Sequence, residues 1–192
     1  MTSLTTQDVL QAFTETGALL KGHFLLRSGL HSADFFQCAN LLRYPRTAEK
    51  LCKALTDLLP GDLAAAATTV ISPALGGIIV GHEVARALDK LSIFAEKVDN
   101  QLVLRRFTIA PGEKIIVAED VVTRGGRVQE TIDLVRAAGG EVVAALTLVD
   151  RSGGKARFDV PHYSLLQLSP VTWEAAECPL CREGVPLVKP GS

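Results

Sequence analysis

The chain has 192 residues, of which 47% are hydrophobic and 21% charged, with a formal net charge of −1. This length and composition are typical of one globular domain with a sizeable apolar core. The balanced charge excludes the basic surplus of most nucleic-acid-binding proteins, although a small anionic ligand needs only a local basic patch. No apolar stretch approaches the roughly 20 residues that span a bilayer, and the N-terminus has no secretory signal, so the cytoplasm is the expected compartment.

The N-terminal third of the chain predicts a mixed α and β region. Apolar side chains at helical spacing predict an amphipathic helix over residues 6–16. Two β-rich segments, at 23–27 and 34–38, flank a Ser-Gly turn. Residues 46–59 again have helical periodicity, and the Pro-Gly pair that follows is expected to end this helix.

From residue 69 onwards, short apolar segments alternate with helical ones. The predicted elements are strands at 69–72, 92–96, 114–118 and 141–149, helices at 77–88 and 127–138, a β-like segment at 101–107, a last strand at 162–168, and a short helix that begins at Ser169-Pro170. Continuously apolar strands are buried on both faces, and their alternation with helices indicates a parallel sheet. The predicted fold class is therefore α/β, with an open, doubly wound parallel sheet.

Residues 114–127, KIIVAEDVVTRGGR, contain the features of a ribose phosphate site. A buried strand leads into the acids Glu119 and Asp120, which suit sugar hydroxyls or a divalent ion. Thr123, Arg124 and two glycines then open a helix, where backbone amides and positive partial charge favour an anion. The chain has neither GxxxxGK[ST] nor a GxGxxG after a strand, which argues against other phosphate loops. The alternative is an ordinary strand, turn and helix cap with solvated acids.

This segment resembles the PRPP-binding signature of type I phosphoribosyltransferases. The resemblance implies that the two acids hold the ribose hydroxyls of PRPP and that residues 123–127 wrap its 5-phosphate. It also implies a catalytic role for Asp120. The PRPP-binding residues implied for this segment are Glu119, Asp120, Val121, Val122, Thr123, Arg124, Gly125, Gly126 and Arg127.

Two other segments resemble the orotate-specific members of that family. In residues 24–36, FLLRSGLHSADFF, Arg27 matches a basic residue that contacts PRPP, and Phe35 and Phe36 match aromatics that border the flat orotate ring. Arg151 and Thr123 are implied orotate contacts, and a planar guanidinium suits a carboxylate or imide edge. Adjacent residues of a strand face opposite sides, so one of the two phenylalanines is expected to lie in the core.

The pyrophosphate loop and the mobile loop depart from the family pattern. Residues 72–77, SPALGG, lack a lysine that many relatives have, but the amides of Gly76 and Gly77 are expected to bind pyrophosphate. In the second loop, Lys97 matches one residue of an Arg-Lys pair, and Glu96 stands where the arginine would be. Lys97 is the expected catalytic charge partner of pyrophosphate.

Arg105 and Arg106 follow the second loop and are candidates to supply its missing positive charge. The resemblance further implies Mg²⁺ as a cofactor and a homodimer whose mobile loops reach the neighbouring site. It implies one domain over residues 1–192, with residues 1–45 and the C-terminal tail forming a hood over the base. Two alternatives stay open: transfer to another base, and a regulatory protein that senses PRPP.

The C-terminal tail contains a CPLC motif formed by Cys178 and Cys181. A structural zinc site usually needs two further ligands, and the chain has neither a second CxxC nor a histidine downstream. Reduced thiols are therefore favoured over zinc, and no metal-ligating protein residue is expected. The four histidines show no metal-site spacing, and most are expected to be structural.

Overall fold

A computed structural model describes residues 4–26 and 28–190; Arg27, an implied PRPP contact, lies outside the described residues. The strands are β1 (Leu19–Leu25), β2 (His31–Phe36), β3 (Thr69–Pro73), β4 (Leu91–Val98), β5 (Gln101–Val103), β6 (Lys114–Val122), β7 (Glu141–Asp150), β8 (His162–Gln167) and β9 (Thr172–Trp173). The helices are α1 (Thr6–Glu15), α2 (Cys38–Leu42), α3 (Pro45–Thr56), α4 (Gly61–Ala66), α5 (Gly77–Leu88), α6 (Gly126–Ala137) and α7 (Pro179–Arg182), with a 3₁₀ turn at Ala175–Glu177.

The larger sheet has the order β5-β4-β3-β6-β7-β8 and confirms the predicted α/β class. Strands β4, β3, β6, β7 and β8 are parallel to their neighbours, and β5 adds an antiparallel edge. Successive residues of β6 face opposite sides of this sheet. Ile116 and Ala118 pack in a cluster with α3 and α5, whereas Ile115 and Val117 pack in another with α6. Helices therefore cover both faces, as in a doubly wound fold. No described helix has the length and apolarity needed to cross a membrane.

A separate three-stranded sheet has the order β1-β2-β9 and is antiparallel. Its middle strand ends at Phe36, whose ring meets that of Phe13 from α1 edge-on at 5.6 Å. The C-terminal segment pairs with it too, because Val188 forms backbone hydrogen bonds with His23 and Leu25 of β1 at 2.8 and 2.9 Å. This small sheet therefore ties the two ends of the described chain together.

Several predicted elements are displaced or wrong. Strands β1 and β2 begin four and three residues earlier than predicted. In β1, a bulge between Lys21 and Phe24 interrupts the alternation of polar and apolar residues. Strand β5 ends at Val103 instead of continuing to residue 107. Helix α3 ends at Thr56, three residues earlier than predicted, and the Pro-Gly pair that follows lies at the start of another short helix, α4. The helix predicted at Ser169-Pro170 is absent, because Ser32 of β2 donates a hydrogen bond to the Val171 carbonyl at 3.2 Å and β9 pairs with β2.

Candidate active site

Two adjacent acids lie at the carboxyl end of β6, at the edge of the sheet where ligands bind in open α/β folds. Strand β6 continues through them to Val122, so Glu119 and Asp120 are part of the strand itself. Glu119 is only 5% exposed. Its Oε1 atom accepts the Asp120 backbone N–H at 3.2 Å, and Asp120 Oδ1 accepts the Val121 N–H at 2.8 Å. Both side chains are thus held in fixed positions by the backbone.

Both carboxyl groups are costly to ionise in this position. Burial, the charge of Asp120 and a hydrogen bond shared with the Asp120 side chain raise the pKa of Glu119 well above its ordinary value. Burial also raises the pKa of Asp120, although hydrogen bonds from Glu119 and the backbone partly offset this effect. The two groups are close enough to titrate as a pair. A pair of buried acids with little compensation is a common sign of a functional site.

Glu119→Gln is expected to make the unliganded protein more stable at neutral pH, by about 1 kcal/mol or about 3 °C in Tm, because it removes a buried charge. A carboxyl group whose folded pKa is raised destabilises the fold above that pKa and not below its unfolded pKa. The gain should therefore shrink as the pH falls through the folded pKa and disappear below the unfolded pKa, where Glu119 is protonated in both states. Thermal unfolding of both proteins across pH 4 to 8, about the range in which such groups titrate, measures the difference. A variant that is less stable at neutral pH would contradict the assigned burial cost.

The loop between β3 and α5 lies directly against the acid pair. A Cβ atom added at Gly76 would be 3.0 Å from Asp120 Oδ2, and one added at Gly77 would be 3.0 Å from Glu119 Oε1. Helix α5 is also close to β3, since a Cβ at Gly81 would be 2.5 Å from Ser72 Oγ. The absence of side chains therefore lets the amino end of α5 and the carboxyl end of β6 share one narrow site.

Residues 121–128 line an open cavity of about 240 Å³ beside the acids. Gly125 begins α6 in the left-handed region, with φ 82°, and a Cβ there would be 3.1 Å from the Phe158 ring. Both constraints favour glycine. No side chain caps α6, and the side chains of Thr123 and Arg124 are exposed at its amino end. Free backbone amides and the helix dipole make this end suitable for a phosphate group.

Arg151 follows β7 and joins the site from the neighbouring strand. Its backbone N–H donates to the Val122 carbonyl at 2.8 Å, and its guanidinium carbon lies 5.1 Å from the centre of the Phe36 ring. Burial lowers the pKa of Arg151, and Nε has no hydrogen-bond partner among the described residues. A half-buried guanidinium with free donors is suited to a planar anionic ligand.

The two phenylalanines of β2 face opposite sides, as predicted. Phe36 is buried between α1 and Arg151. Phe35 packs instead against Phe24 of β1, with ring centres 5.7 Å apart. The structure therefore brings Phe36, and not Phe35, together with Arg151.

Lys97 lies near the end of β4, at the same edge of the sheet. Strand β4 passes the glycine loop at Ala95, whose carbonyl accepts the Ala74 N–H at 2.8 Å, and Lys97 is exposed two residues further on. The loop that follows is a tight turn to β5, in which Asp99 and Asn100 have positive φ values of 47° and 68°. The β4–β5 connection is thus a short hairpin.

Glu96 holds the two arginines that follow this hairpin. Its Oε1 atom lies 3.1 Å from Arg106 and 3.9 Å from Arg105. Both guanidinium groups are largely exposed, and exposed ion pairs of this kind contribute little to stability. The acid at this position therefore orients the arginines that were candidates to supply positive charge.

Comparison with known proteins identifies the family of this chain. A family model described as "Phosphoribosyl transferase domain" matches residues 40–181. A curated orotate phosphoribosyltransferase of Carboxydothermus hydrogenoformans is 54% identical over 96% of this chain and 97% of its own. This chain belongs to the orotate phosphoribosyltransferase family. Another family member, from Acidithiobacillus ferrooxidans, is 48% identical over 98% of both chains. The crystal structure of the orotate phosphoribosyltransferase from Aeropyrum pernix has a TM-score of 0.68 and 26% identity, covering 83% of this chain and 93% of its own.

Most site residues that the family resemblance implies lie at one edge of the parallel sheet. The acid pair, the two glycine loops and Arg151 come from the carboxyl ends of β3, β6 and β7. Cys38, which no motif indicated, lies beneath them: its Sγ is 3.9 Å from the Asp120 carbonyl, and burial and the charge of Asp120 raise its pKa. The cysteine pair of the tail lies beside two histidines, which the sequence spacing did not predict. Fully buried Cys178 has its Sγ 3.4 Å from His23 Nε2, and Cys181 Sγ lies 3.3 Å from His31 Nδ1.

Proposed function

We propose that this chain transfers the 5-phosphoribosyl group of PRPP to orotate, giving orotidine 5′-monophosphate and pyrophosphate, a reaction of UMP biosynthesis. The observation that supports this most strongly is the position of the buried acid pair against the Gly76-Gly77 loop, with the uncapped amino end of α6 beside it. A sugar diol, its 5-phosphate and its pyrophosphate each meet a suitable group there. The high identity to curated orotate phosphoribosyltransferases supports orotate as the base.

PRPP is bound by hydrogen-bond acceptors at its ribose hydroxyls and by hydrogen-bond donors at its phosphates. Glu119 and Asp120 accept hydrogen bonds from the two ribose hydroxyls, which are neutral and do not repel a carboxylate. The 5-phosphate occupies the cavity lined by residues 121–128, where the amides of α6, the Thr123 hydroxyl and the Arg124 guanidinium donate to it. The amides of Gly76 and Gly77 donate to pyrophosphate.

Orotate lies between the parallel sheet and the hood. Arg151 donates to its carboxylate or imide edge, since its Nε has no hydrogen-bond partner among the described residues. The Phe36 ring packs against that guanidinium. Thr123 contributes a hydroxyl to the base. The hood, which comprises residues 1–45 and the C-terminal tail, then excludes water from the base.

The acid pair also fits a divalent cation. Carboxylate oxygens are ligands that Mg²⁺ prefers, and a cation beside Glu119 and Asp120 would compensate the charge whose burial raises the pKa of both groups. A bound Mg²⁺ would neutralise charge on the diphosphate of PRPP. The two carboxylates are the residues that would hold it to the protein.

The reaction displaces pyrophosphate from C1 of the ribose by a nitrogen of orotate. The C1–O bond breaks ahead of C1–N bond formation, so the sugar becomes oxocarbenium-like and negative charge grows on pyrophosphate, while the attacking orotate nitrogen loses its proton to solvent. The protein contributes by positioning both reactants and by stabilising this charge. The acids favour the positive sugar, whereas Lys97 and the glycine-loop amides favour the leaving group.

Lys97→Ala is expected to reduce kcat/KM about 10- to 100-fold and to leave the KM for orotate within about twofold, because one charge-assisted contact to the leaving group is lost. Steady-state kinetics with orotate and PRPP varied in turn would separate the two parameters. Lys114→Ala is the matched control, since Lys114 is exposed at the opposite, amino-terminal edge of the same sheet. Equal losses in orotate affinity and turnover would argue against this role.

The direct test of the proposed function is the loss of orotate absorbance when the purified protein is mixed with PRPP and Mg²⁺. Parallel reactions with hypoxanthine, xanthine and uracil test transfer to another base. Affinity for PRPP without turnover of any base would favour a regulatory protein instead.

The proposed assembly is a homodimer in the cytoplasm, with the β4–β5 region of one subunit near the site of the other. Sedimentation velocity would detect the dimer.

A further inference from the structure

The CPLC motif and two histidines form a compact cluster outside the active site. His23 lies on β1 and His31 on β2. Cys178 directly precedes α7, and Cys181 lies within that helix. Three of the four side chains are buried, and Cys181 is exposed. Residues 155 positions apart in the chain, such as His23 and Cys178, are therefore in contact. We propose that His23, His31, Cys178 and Cys181 bind one Zn²⁺ ion.

The distances within the cluster match a tetrahedral ion. One ligand atom from each residue lies within 4.8 Å of all the others. The separations are 2.8 Å between His23 Nε2 and His31 Nδ1, and 3.3 to 3.7 Å between ring nitrogens and sulfurs. Zn–N bonds of about 2.0 Å and Zn–S bonds of about 2.3 Å place tetrahedral ligand atoms about 3.3 to 3.8 Å apart. Only small side-chain movements are needed to admit the ion.

The orientation of His23 supports metal binding. Its Nδ1 atom lies 2.8 Å from the Val185 carbonyl, which can only accept, so Nδ1 carries the proton. In the neutral ring Nε2 is then a bare acceptor directed at the cluster. A metal-binding histidine typically donates its other N–H to a carbonyl or carboxylate in this way.

Hydrogen bonding alone accounts poorly for the cluster. The bare Nε2 atom of His23 offers one lone pair, yet His31 Nδ1, Cys178 Sγ and Cys181 Sγ all approach it, at 2.8, 3.4 and 3.7 Å. One acceptor cannot satisfy three neighbours. A cation at the centre would satisfy all four groups together.

The chemistry of the ligands selects zinc. Two sulfurs and two imidazole nitrogens in a tetrahedral arrangement are typical of structural zinc sites. Zinc binding converts two thiols to thiolates and releases their two protons, so the filled site is electrically neutral. A neutral cluster avoids the cost of burying net charge. With four protein ligands, the site has no open position for catalysis.

The structural role of the ion would be to fasten the C-terminal tail to the base of the hood. The backbone hydrogen bonds of Val188 with His23 and Leu25, and the contact of His23 Nδ1 with the Val185 carbonyl, also link the tail to β1. His31 also pairs in register with Trp173 of β9, the one tryptophan of the chain. The ion would thus join β1, β2, β9 and α7 into one unit.

The first test is the metal content of the untagged, full-length protein purified from zinc-supplemented cells. Plasma mass spectrometry is expected to find about one zinc per chain, and less than about a tenth of that in Cys181→Ala and His31→Gln. Matched controls are Cys52→Ala, a buried cysteine of α3, and His82→Gln, an exposed histidine of α5; both should retain the ion. Wild-type protein without zinc, or with another metal in its place, would overturn the proposal, as would controls that lose zinc to the same extent.

A second test does not depend on variants that fold poorly. Protein stripped with a chelator and refilled with Co²⁺ should show tetrahedral d–d bands and a thiolate charge-transfer band, and the fluorescence of Trp173 should change as the ion is removed and restored. The chelator should lower Tm of the wild type and not of Cys181→Ala. An octahedral cobalt spectrum, or equal chelator effects in both proteins, would refute two-cysteine, two-histidine ligation. Because these measurements require no turnover, they remain decisive even if orotate is not the substrate.

Discussion

Asp120→Asn is expected to lower kcat/KM for PRPP about 100-fold while the protein stays folded. Asn has the same shape and still accepts one hydrogen bond, but it removes the charge that favours the oxocarbenium-like sugar and the cation beside it. Two contacts of about 1.5 kcal/mol each account for a loss of this size. Initial rates at saturating orotate, with PRPP varied, measure the effect.

Asp133→Asn is the control for this substitution, because Asp133 is exposed on α6 and accepts a hydrogen bond from Gln129 of the same helix, at 2.9 Å. It is expected to keep wild-type kinetics. Circular dichroism and Tm should be unchanged or slightly raised for Asp120→Asn, since the substitution removes a buried charge. Wild-type kcat/KM in Asp120→Asn would remove the central support for the proposed PRPP site.

Arg151→Ala is expected to raise the KM for orotate about 100-fold and to change the KM for PRPP by less than about threefold. The planar guanidinium provides paired donors to an anionic ring edge, and charge-assisted bonds of this kind contribute roughly 1.5 to 3 kcal/mol. Calorimetric titration of the protein with orotate, in the presence of pyrophosphate, would give the affinity for orotate without turnover.

Arg151→Lys distinguishes geometry from charge. Lysine keeps the charge but cannot form the fork or stack flat on the Phe36 ring, so most of the loss should remain. Arg136→Ala is the control: Arg136 is an exposed arginine of α6 that pairs with Asp159 at 2.8 Å, and its loss should leave both KM values unchanged. Full rescue by lysine would show that Arg151 acts only as a positive charge.

The parallel core could be predicted from sequence because its signals are local. Strand β6 is an apolar run buried on both faces, and the glycines after it allow both the turn at Gly125 and the start of α6. The predicted and observed bounds of α6 therefore differ by one residue at each end. The position of the two acids at the carboxyl end of that strand could be predicted for the same reason, and the proposed PRPP-binding region rests on it.

The small sheet could not be predicted in the same way, because its strands depend on distant partners. Strand β9 has two residues and forms only through its pairing with β2. The alternation of Phe35 and Phe36 was predictable, but which ring meets Arg151 depends on how β2 packs against the larger sheet. The four-residue cluster was missed for the same reason: His23 and His31 lie far upstream of the cysteines, and zinc motifs are recognised by short spacings.

The close packing of Gly81 on Ser72 affects how the pyrophosphate loop functions. With no room for even a methyl group between α5 and β3, the helix packs directly on the strand, and this close contact restricts the position of its first turns. A loop that is already rigid loses little conformational entropy when it binds an anion, so more of the interaction energy remains as affinity. Preorganisation of this kind can compensate for a loop that lacks the lysine found in many relatives.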